Sequence, residues 1–198
     1  MDWYTIPNVP FATYVNHLKE LYNIKESKSV IQDPFARVLL GDEATSLQTQ
    51  KVKAVQQNLG NFHQKLLGSF PGWKDLGRGH ETGLDIAKDD DTVFIEVKNA
   101  TNSMNSGSAS AVNAKLLKQV ELGRKAILVQ INTATKGATN RSGIHSTVSV
   151  MNGKEAYAYV SGVPDCYDRV LATFSETFRR FTTWKEICEF RDQQLQQA

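Results

Sequence analysis

The sequence predicts an α/β fold, with a mixed central sheet flanked by helices and further helical segments at the N- and C-termini. A strand, a helix and a second strand follow one another over residues 92–132, which indicates a right-handed crossover between parallel strands. Two strand-like runs surround an aspartate turn over residues 83–98, and apolar residues recur at helical spacing near both ends of the chain. The 198 residues, 40% of them hydrophobic, suit one domain with its own core.

Helices are predicted where apolar residues recur every three or four positions. This spacing indicates helices over residues 11–22, 28–40 with a break at Pro34, 45–67, 109–122, and 165–195 as two helices meeting near Thr182-Thr183. Glycine and proline after residue 67, and Gly123 after residue 122, are typical of positions that end a helix.

Strands are predicted over residues 83–88, 92–98 and 125–132, the last a nearly continuous apolar run that suits burial on both faces. The dipeptide Asn152-Gly153 between apolar residues is typical of a β-hairpin, so two strands are expected around it. Polar loops are expected at 99–110 and 133–143. A single domain over residues 1–198 would thus hold a core at about 45–132, loops and a hairpin at about 133–163, and C-terminal helices at about 165–195.

Charge, cysteine content and hydropathy narrow the class of protein. The formal net charge of +2 neither demands nor forbids a polyanionic partner. Cys166 and Cys188 are the only cysteines, which indicates a reducing compartment rather than a disulfide scaffold. No apolar run approaches the roughly 20 residues needed to span a bilayer. We therefore expect a soluble intracellular protein that does not enter the membrane.

The hairpin over residues 83–98 carries charges where a buried sheet would hold apolar side chains. Alternation along the second strand places Glu96 and Lys98 on one face together with Phe94. The short turn at 89–91 places Asp85 opposite residue 94, 95 or 96, so Asp85 lies next to Glu96. Two carboxylates and one lysine are therefore predicted to converge.

Two interpretations of this cluster follow from the residues. Adjacent carboxylates repel unless a cation lies between them, and Mg²⁺ prefers carboxylate oxygens together with waters and substrate phosphate oxygens. Such a site could hydrolyse a phosphate ester, with the lysine orienting water and offsetting negative charge. Alternatively, the three residues form a solvated face with a weak surface ion pair. The apolar flanks in "TVFIEVK" favour burial, where charges need partners.

The arrangement resembles the Asp…(Glu/Asp)-x-Lys signature of the PD-(D/E)xK nuclease superfamily, although Leu84 stands where a proline is often found. Three stretches are similar to a group of type II restriction endonucleases in which Glu-x-Lys-Asn precedes Asn-(Ser/Thr)-Met-Asn-Ser: "NLGNFHQKLLGSFPGW" (58–73), "GLDI" (83–86) and "EVKNATNSMNSGSASAVNAKL" (96–116). The resemblance covers residues 45–130 and extends the predicted fold to a restriction-endonuclease-like one.

The resemblance implies Asp85, Glu96 and Lys98 as catalytic residues, with Asp85 and Glu96 as ligands of Mg²⁺. It also implies hydrolysis of double-stranded DNA at a short site, for some members an interrupted G/C-rich palindrome of the GGNCC kind. A homodimer in a prokaryotic cytoplasm would match such a site. The alternatives are a repair or junction-resolving nuclease on the same scaffold, or a non-catalytic DNA-binding protein.

Polar side chains in and near the two loops are candidates for DNA contact, because short polar and basic side chains can hold phosphates or read base edges. They are Asn99, Asn102, Ser103, Asn105, Ser106, Ser108, Lys115, Lys136, Asn140, Arg141 and His145. The first loop could instead only begin a helix, with Ser106 or Ser108 as N-cap, and the second could be a solvated polar loop.

Three further residues near the hairpin are accessory candidates. His63 and Gln64 close the helix before the hairpin, where His63 is expected to pack or contact phosphate rather than act in catalysis. Glu81 precedes the first strand and could serve as an accessory ligand.

Overall fold

The computed structural model describes residues 1–26, 43–99, 106–132 and 144–197 of the chain. The helical stretch expected at 28–40 and the loop at 133–143 lie outside these ranges. The elements are α1 (Phe11–His17), α2 (Lys19–Glu26), α3 (Glu43–Leu67), β1 (Trp73–Asp75), β2 (Ile86–Lys88), β3 (Val93–Lys98), α4 (Ser106–Glu121), β4 (Lys125–Gln130), β5 (Ser149–Asn152), α5 (Gly153–Ser161), α6 (Cys166–Arg180) and α7 (Trp184–Gln196).

The strands form one mixed sheet in the order β1-β2-β3-β4-β5. The first three strands are antiparallel neighbours, whereas β4 is parallel to both β3 and β5. The helix α4 crosses from β3 to β4, as the strand–helix–strand order predicts. The predicted α/β class with a mixed sheet, flanking helices and helical ends is confirmed.

Side-chain alternation along β3 divides the core between the two faces of the sheet. Val93, Ile95 and Val97 join the larger core, which contains α1, α3 and the C-terminal helices. Phe94 joins a smaller core with Leu116 on α4, and Glu96 and Lys98 follow it on that face. The whole strand from Val93 to Val97 is buried, so its polar side chains have left bulk water.

The N-terminal helix predicted over residues 11–22 is two helices in the structure. The N–H of Leu18 donates to the carbonyl of Val15 at 2.9 Å, a tighter i→i−3 turn that interrupts the regular pattern. Leu18 itself is fully buried, so the break keeps the apolar face of both helices on the core. At the other end, α6 and α7 meet at Thr183, the N-cap of α7, as predicted.

The predicted hairpin at Asn152-Gly153 is wrong. Asn152 ends β5 and caps α5, its side chain accepting a hydrogen bond from the N–H of Glu155 while the Glu155 carboxylate accepts one from the N–H of Asn152. This reciprocal capping box accounts for the polar residues that resemble a turn. Gly153 is needed for packing, since a Cβ there would lie 2.7 Å from the carbonyl oxygen of Ile131.

Other expectations also differ from the structure. The short strand β1 was not anticipated, because only its pairing with β2 distinguishes it from a loop. The apolar spacing of α3 predicts that Val52 and Val55 face the core, but they are 50% and 38% exposed. The helix α4 begins at Ser106, so neither Ser106 nor Ser108 precedes it as an N-cap.

None of the described helices combines the length and apolarity that a membrane crossing requires.

We predict that Asn152→Ala lowers the free energy of unfolding by about 1 kcal/mol, the typical loss of an N-cap. Asn152→Ser should retain most of the stability, because a serine hydroxyl can accept the same hydrogen bond from Glu155. Urea denaturation of both variants measures the difference. Equal losses in the two variants would contradict the capping role.

Candidate active site

The pairing of β2 with β3 brings two carboxylates together. Ile86 lies opposite Ile95, and the N–H of Asp85 donates to the carbonyl of Ile95 at 3.1 Å. Continuing this register places Asp85 beside Glu96, one of the three alignments that the sequence allowed. The two carboxylates repel each other, and this repulsion contributes to a raised pKa of Asp85.

Glu96 is buried in the sheet and forms an ion pair with Lys98. The residue is 3% exposed, and its Oε1 accepts a hydrogen bond of 2.6 Å from Nζ of Lys98. Its other oxygen, Oε2, is buried and has no hydrogen-bond partner among the described residues. Lys98 stays 27% exposed at the strand end. The interpretation of a fully solvated ion pair therefore does not fit Glu96.

Asp85 is held at the start of β2 by a backbone hydrogen bond. Its Oδ2 accepts from the N–H of Val97 at 2.7 Å, which ties the carboxylate to the next strand near its carboxyl end. Burial, and next the charge of Glu96, raise the pKa of Asp85 to about 6, whereas the Val97 hydrogen bond, Lys98 and Lys115 oppose the shift. Asp85 thus has a cost of ionisation that a nearby cation would reduce.

A cleft of about 690 Å³ opens beside these groups, between α3 and the carboxyl ends of β3 and β4. The sheet side of the cleft consists of Asp85, Val97, Lys98, Asn99 and Asn132. The helix side, apart from Leu59, consists of Lys53, Gln56, Gln57, Gly60, Asn61 and Gln64.

These helix residues were mostly missed by sequence reasoning, which followed only the apolar stripe of α3. Their signal was present: positions 53, 56, 57, 60, 61 and 64 recur at helical spacing and form the polar stripe beside it. A polar stripe is ordinary on any surface helix, so only the packing of α3 across the strand ends distinguishes this one.

The donor set fits a small hard cation. No group of three or more His, Cys, Asp or Glu side chains in the described parts of the chain is arranged to hold a metal ion. Two carboxylates are nevertheless present, and the buried Glu96 Oε2 lacks a partner that a cation would provide. Mg²⁺ is often bound by one or two carboxylates and completes its shell with waters and phosphate oxygens. Asp85 and Glu96 are the residues that would hold it.

The structure brings two of the candidate DNA-contact residues to this site. Asn99 lines the cleft, donating from Nδ2 to the carbonyl of Gln56 at 3.0 Å and accepting from Nδ2 of Asn132 at 2.9 Å. Lys115 on α4 donates to the carbonyl of Gly83 at 2.9 Å, two residues before Asp85. Both are therefore anchored rather than free on the surface.

The other candidates either do not line the cleft or lie outside the described residues. His145 is exposed; its N–H donates to Oδ1 of Asn113, and its ring bonds Thr147. Ser108 lies in the first turn of α4 and is half-buried, and the side chain of Ser106 is not described. The remaining candidates lie outside the described ranges: Asn102, Ser103, Asn105, Lys136, Asn140 and Arg141.

The accessory candidates occupy three different environments. Nδ1 of His63 lies 2.9 Å from the hydroxyl of Tyr157, and His63 lines a further cavity of about 190 Å³ that Asp85 does not line. Burial lowers the pKa of His63 to about 4. Gln64 lines the cleft and donates to Oδ1 of Asp75 at 2.8 Å. Glu81 is exposed in the loop before β2.

We predict that His63 makes the protein less stable as the pH falls. Its folded-state pKa of about 4 lies below the ordinary 6.5, so its contribution is complete above pH 6.5 and is lost as the pH falls towards 4. In His63→Gln, the loss in free energy of unfolding between pH 7.5 and pH 4.5 should be smaller than in the wild type by about 1–3 kcal/mol. Urea denaturation at the two pH values tests it; identical slopes for variant and wild type would contradict a neutral, packed histidine.

Comparison with known proteins identifies a family for this chain. The chain is 27% identical over 144 residues to the type II restriction enzyme Sau96I of Staphylococcus aureus, covering 64% of this chain and 54% of that enzyme. It is 35% identical over 63 residues to the type II restriction enzyme Eco47II of Escherichia coli, covering 32% of this chain and 26% of that enzyme. The chain thus spans about half or less of the length of these relatives. Residues 42–180 match the family model described as Eco47II restriction endonuclease, and the chain belongs to that family.

Proposed function

We propose that this chain is a type II restriction endonuclease of the PD-(D/E)xK kind, which hydrolyses both strands of DNA in a Mg²⁺-dependent reaction. One observation carries the proposal. In a chain of this family, Asp85, Glu96 and Lys98 converge beside a cleft, with Glu96 buried and one of its oxygens left without a partner. A buried, half-satisfied carboxylate costs stability, and a cation held with a DNA phosphate accounts for its presence.

The three residues divide the work by their positions. Asp85 and Glu96 would hold the cation, since each is fixed by one hydrogen bond and has a second oxygen for it. When bound there, Mg²⁺ would supply Lewis-acid polarisation of a phosphoryl oxygen and a lowered pKa of a bound water. Lys98, partly exposed at the strand end, orients the attacking water and offsets the negative charge that develops on the phosphate. In the protein without ligand, its ion pair with Glu96 keeps the ammonium at the strand end beside the cleft.

The cleft gives the DNA backbone its approach to these groups. The amide-rich stripe of α3 and Asn99 offers hydrogen bonds to phosphate oxygens, and Lys53 adds a positive charge. Lys115 contributes a second positive charge close to Asp85. Base recognition is proposed for the polar segments that the sequence predicts as loops, including Asn102, Asn105, Asn140 and Arg141, since phosphate contacts carry no direct sequence information.

The recognised site is proposed to be a short, interrupted, G/C-rich palindrome, read by a homodimer in a prokaryotic cytoplasm. A two-fold symmetric site presents two equivalent phosphates, so a dimer with two-fold symmetry supplies one active site to each strand. Sequencing the ends of digested plasmid identifies the site and the overhang together, and light scattering on the free protein measures the oligomeric state. Heterogeneous ends or a monomer would contradict these two parts of the proposal.

We predict that Glu96→Gln and Lys98→Ala each lower the rate of phage DNA cleavage by at least about 100-fold, because each removes a charge that acts at the phosphate. Wild-type protein should produce a discrete ladder of fragments that disappears with EDTA. Much of the DNA affinity of both variants should remain, since phosphate contacts elsewhere supply most of it.

Lys88→Ala is the matched control. Lys88 lies on the same hairpin as Asp85 but pairs with Asp90 at the exposed turn, so its loss should leave cleavage unchanged. A smear, nicking or a preference for branched substrates in the wild type would favour a repair or junction-resolving nuclease. Unchanged behaviour of Glu96→Gln and Lys98→Ala would favour a non-catalytic DNA-binding protein.

We also predict that Lys53→Ala weakens DNA binding uniformly across sequences and reduces the slope of log K against log salt by about one. Lys65→Ala, on the same helix but outside the cleft, should do neither. Fluorescence anisotropy in the uncleaving Glu96→Gln background measures both slopes. Equal effects of the two lysine variants would show that the cleft face of α3 does not bind the DNA phosphate backbone.

A further inference from the structure

Gln130 is buried beside the candidate catalytic lysine without having a role in the site described above. It ends β4, where it lies directly opposite Lys98 of β3 in the parallel register. Its side chain is 3% exposed, and its Oε1 has no hydrogen-bond partner among the residues that the structure describes. Burying an unpaired amide oxygen costs folding free energy. We therefore expect Gln130 Oε1 to accept a hydrogen bond in another state of the protein.

Gln130 and the catalytic groups lie on one face of the sheet. Ala126 and Leu128 of β4 pack in the smaller core with Phe94, and alternation places Gln130 on that face with Glu96 and Lys98. Neighbouring strands lie about 4.8 Å apart, which puts the Gln130 side chain within reach of the long Lys98 side chain. Glu96 Oε2 and Gln130 Oε1, two buried oxygens without a partner in the described part of the chain, therefore belong to residues on either side of Lys98.

The other buried glutamine on this side of the sheet shows what an ordinary structural role looks like. Gln119 on α4 is 2% exposed, and its Oε1 accepts a hydrogen bond of 2.8 Å from Nη1 of Arg124. Its polar oxygen is paired within the fold. Gln130 lacks such a donor, although the ammonium of Lys98, which can donate three hydrogen bonds, lies on the adjacent position.

We propose that Gln130 is a positioning residue whose Oε1 accepts a hydrogen bond from the Lys98 ammonium when Glu96 no longer accepts it. In the present structure the ammonium is bound to Glu96 Oε1 at 2.6 Å. When Glu96 also holds a cation, its attraction for the ammonium would weaken, and Gln130 offers a buried acceptor directly opposite on the neighbouring strand. Lys98 then stays at the strand end instead of swinging into solvent.

This inference rests on the proposed function for its purpose, but its physical content can be tested without cleavage. Glu96→Ala removes the acceptor that competes for Lys98, so the Lys98–Gln130 hydrogen bond should form in EDTA. Gln130→Met, which keeps the shape and removes the acceptor, should then lower the melting temperature more in the Glu96→Ala background than in the wild type. The extra loss should be about 2–4 °C for one hydrogen bond in a chain of this size.

Two controls assign the extra loss to the right pair. Gln119→Met should lower the melting temperature equally in both backgrounds, because its partner is Arg124. With Lys98→Met added, Gln130→Met should also have equal effects in both backgrounds, since the donor is gone. Equal effects of Gln130→Met with Lys98 intact would overturn the proposal.

A crystal structure of the Glu96→Ala variant in EDTA decides the matter if Gln130→Met does not fold. Nζ of Lys98 within about 3.2 Å of Oε1 of Gln130 supports the proposal, whereas an ammonium in solvent overturns it. In the intact enzyme, Gln130→Met should lower kcat by about tenfold with KM unchanged, as expected for a mispositioned lysine. A wild type that cleaves no DNA would refute the proposed function and leave the melting result to judge Gln130.

Discussion

The burial of the Glu96 carboxylate within a central strand is the constraint on which the site depends. Val93 to Val97 is covered on both faces, so this carboxylate has left water and needs compensation from within the fold. Lys98 supplies part of this compensation by donating to one Glu96 oxygen, and the second oxygen has no partner among the described residues. The central strand thus fixes the Glu96 carboxylate in place, where a positive group that binds beside it would be attracted.

The neighbouring elements β2 and α3 place a second carboxylate and a cleft beside Glu96. β2 brings Asp85 alongside, tied to the backbone of Val97, while α3 packs on the opposite face and extends past the strand ends. The resulting cleft has Asp85 and Lys98 on its sheet side, and amide side chains together with Lys53 on its helix side. Such a surface suits a phosphate backbone, because cations and neutral donors both stabilise phosphate oxygens.

Stability and function oppose each other at this site. Asp85 is held where burial and a neighbouring charge raise its pKa to about 6, and Glu96 and Gln130 each bury an oxygen without a donor among the described residues. Each feature costs folding free energy, and a positive group nearby would relieve that cost. Costs of this kind are typical of sites prepared for a ligand, whereas the paired Gln119 on the same side of the sheet shows none of them.

The sequence by itself determined the α/β class, the crossover from β3 to β4, and the shared face of Glu96 and Lys98, because these follow from hydrophobic alternation and element order. The same local reasoning took Asn152-Gly153 for a hairpin, since an N-cap and a turn favour the same residues and only Glu155 closing the capping box separates them. Tertiary structure alone decided that α3 faces the strand ends and that Gln130 lies opposite Lys98. Both depend on contacts between segments far apart in sequence, which residue spacing within one segment does not encode.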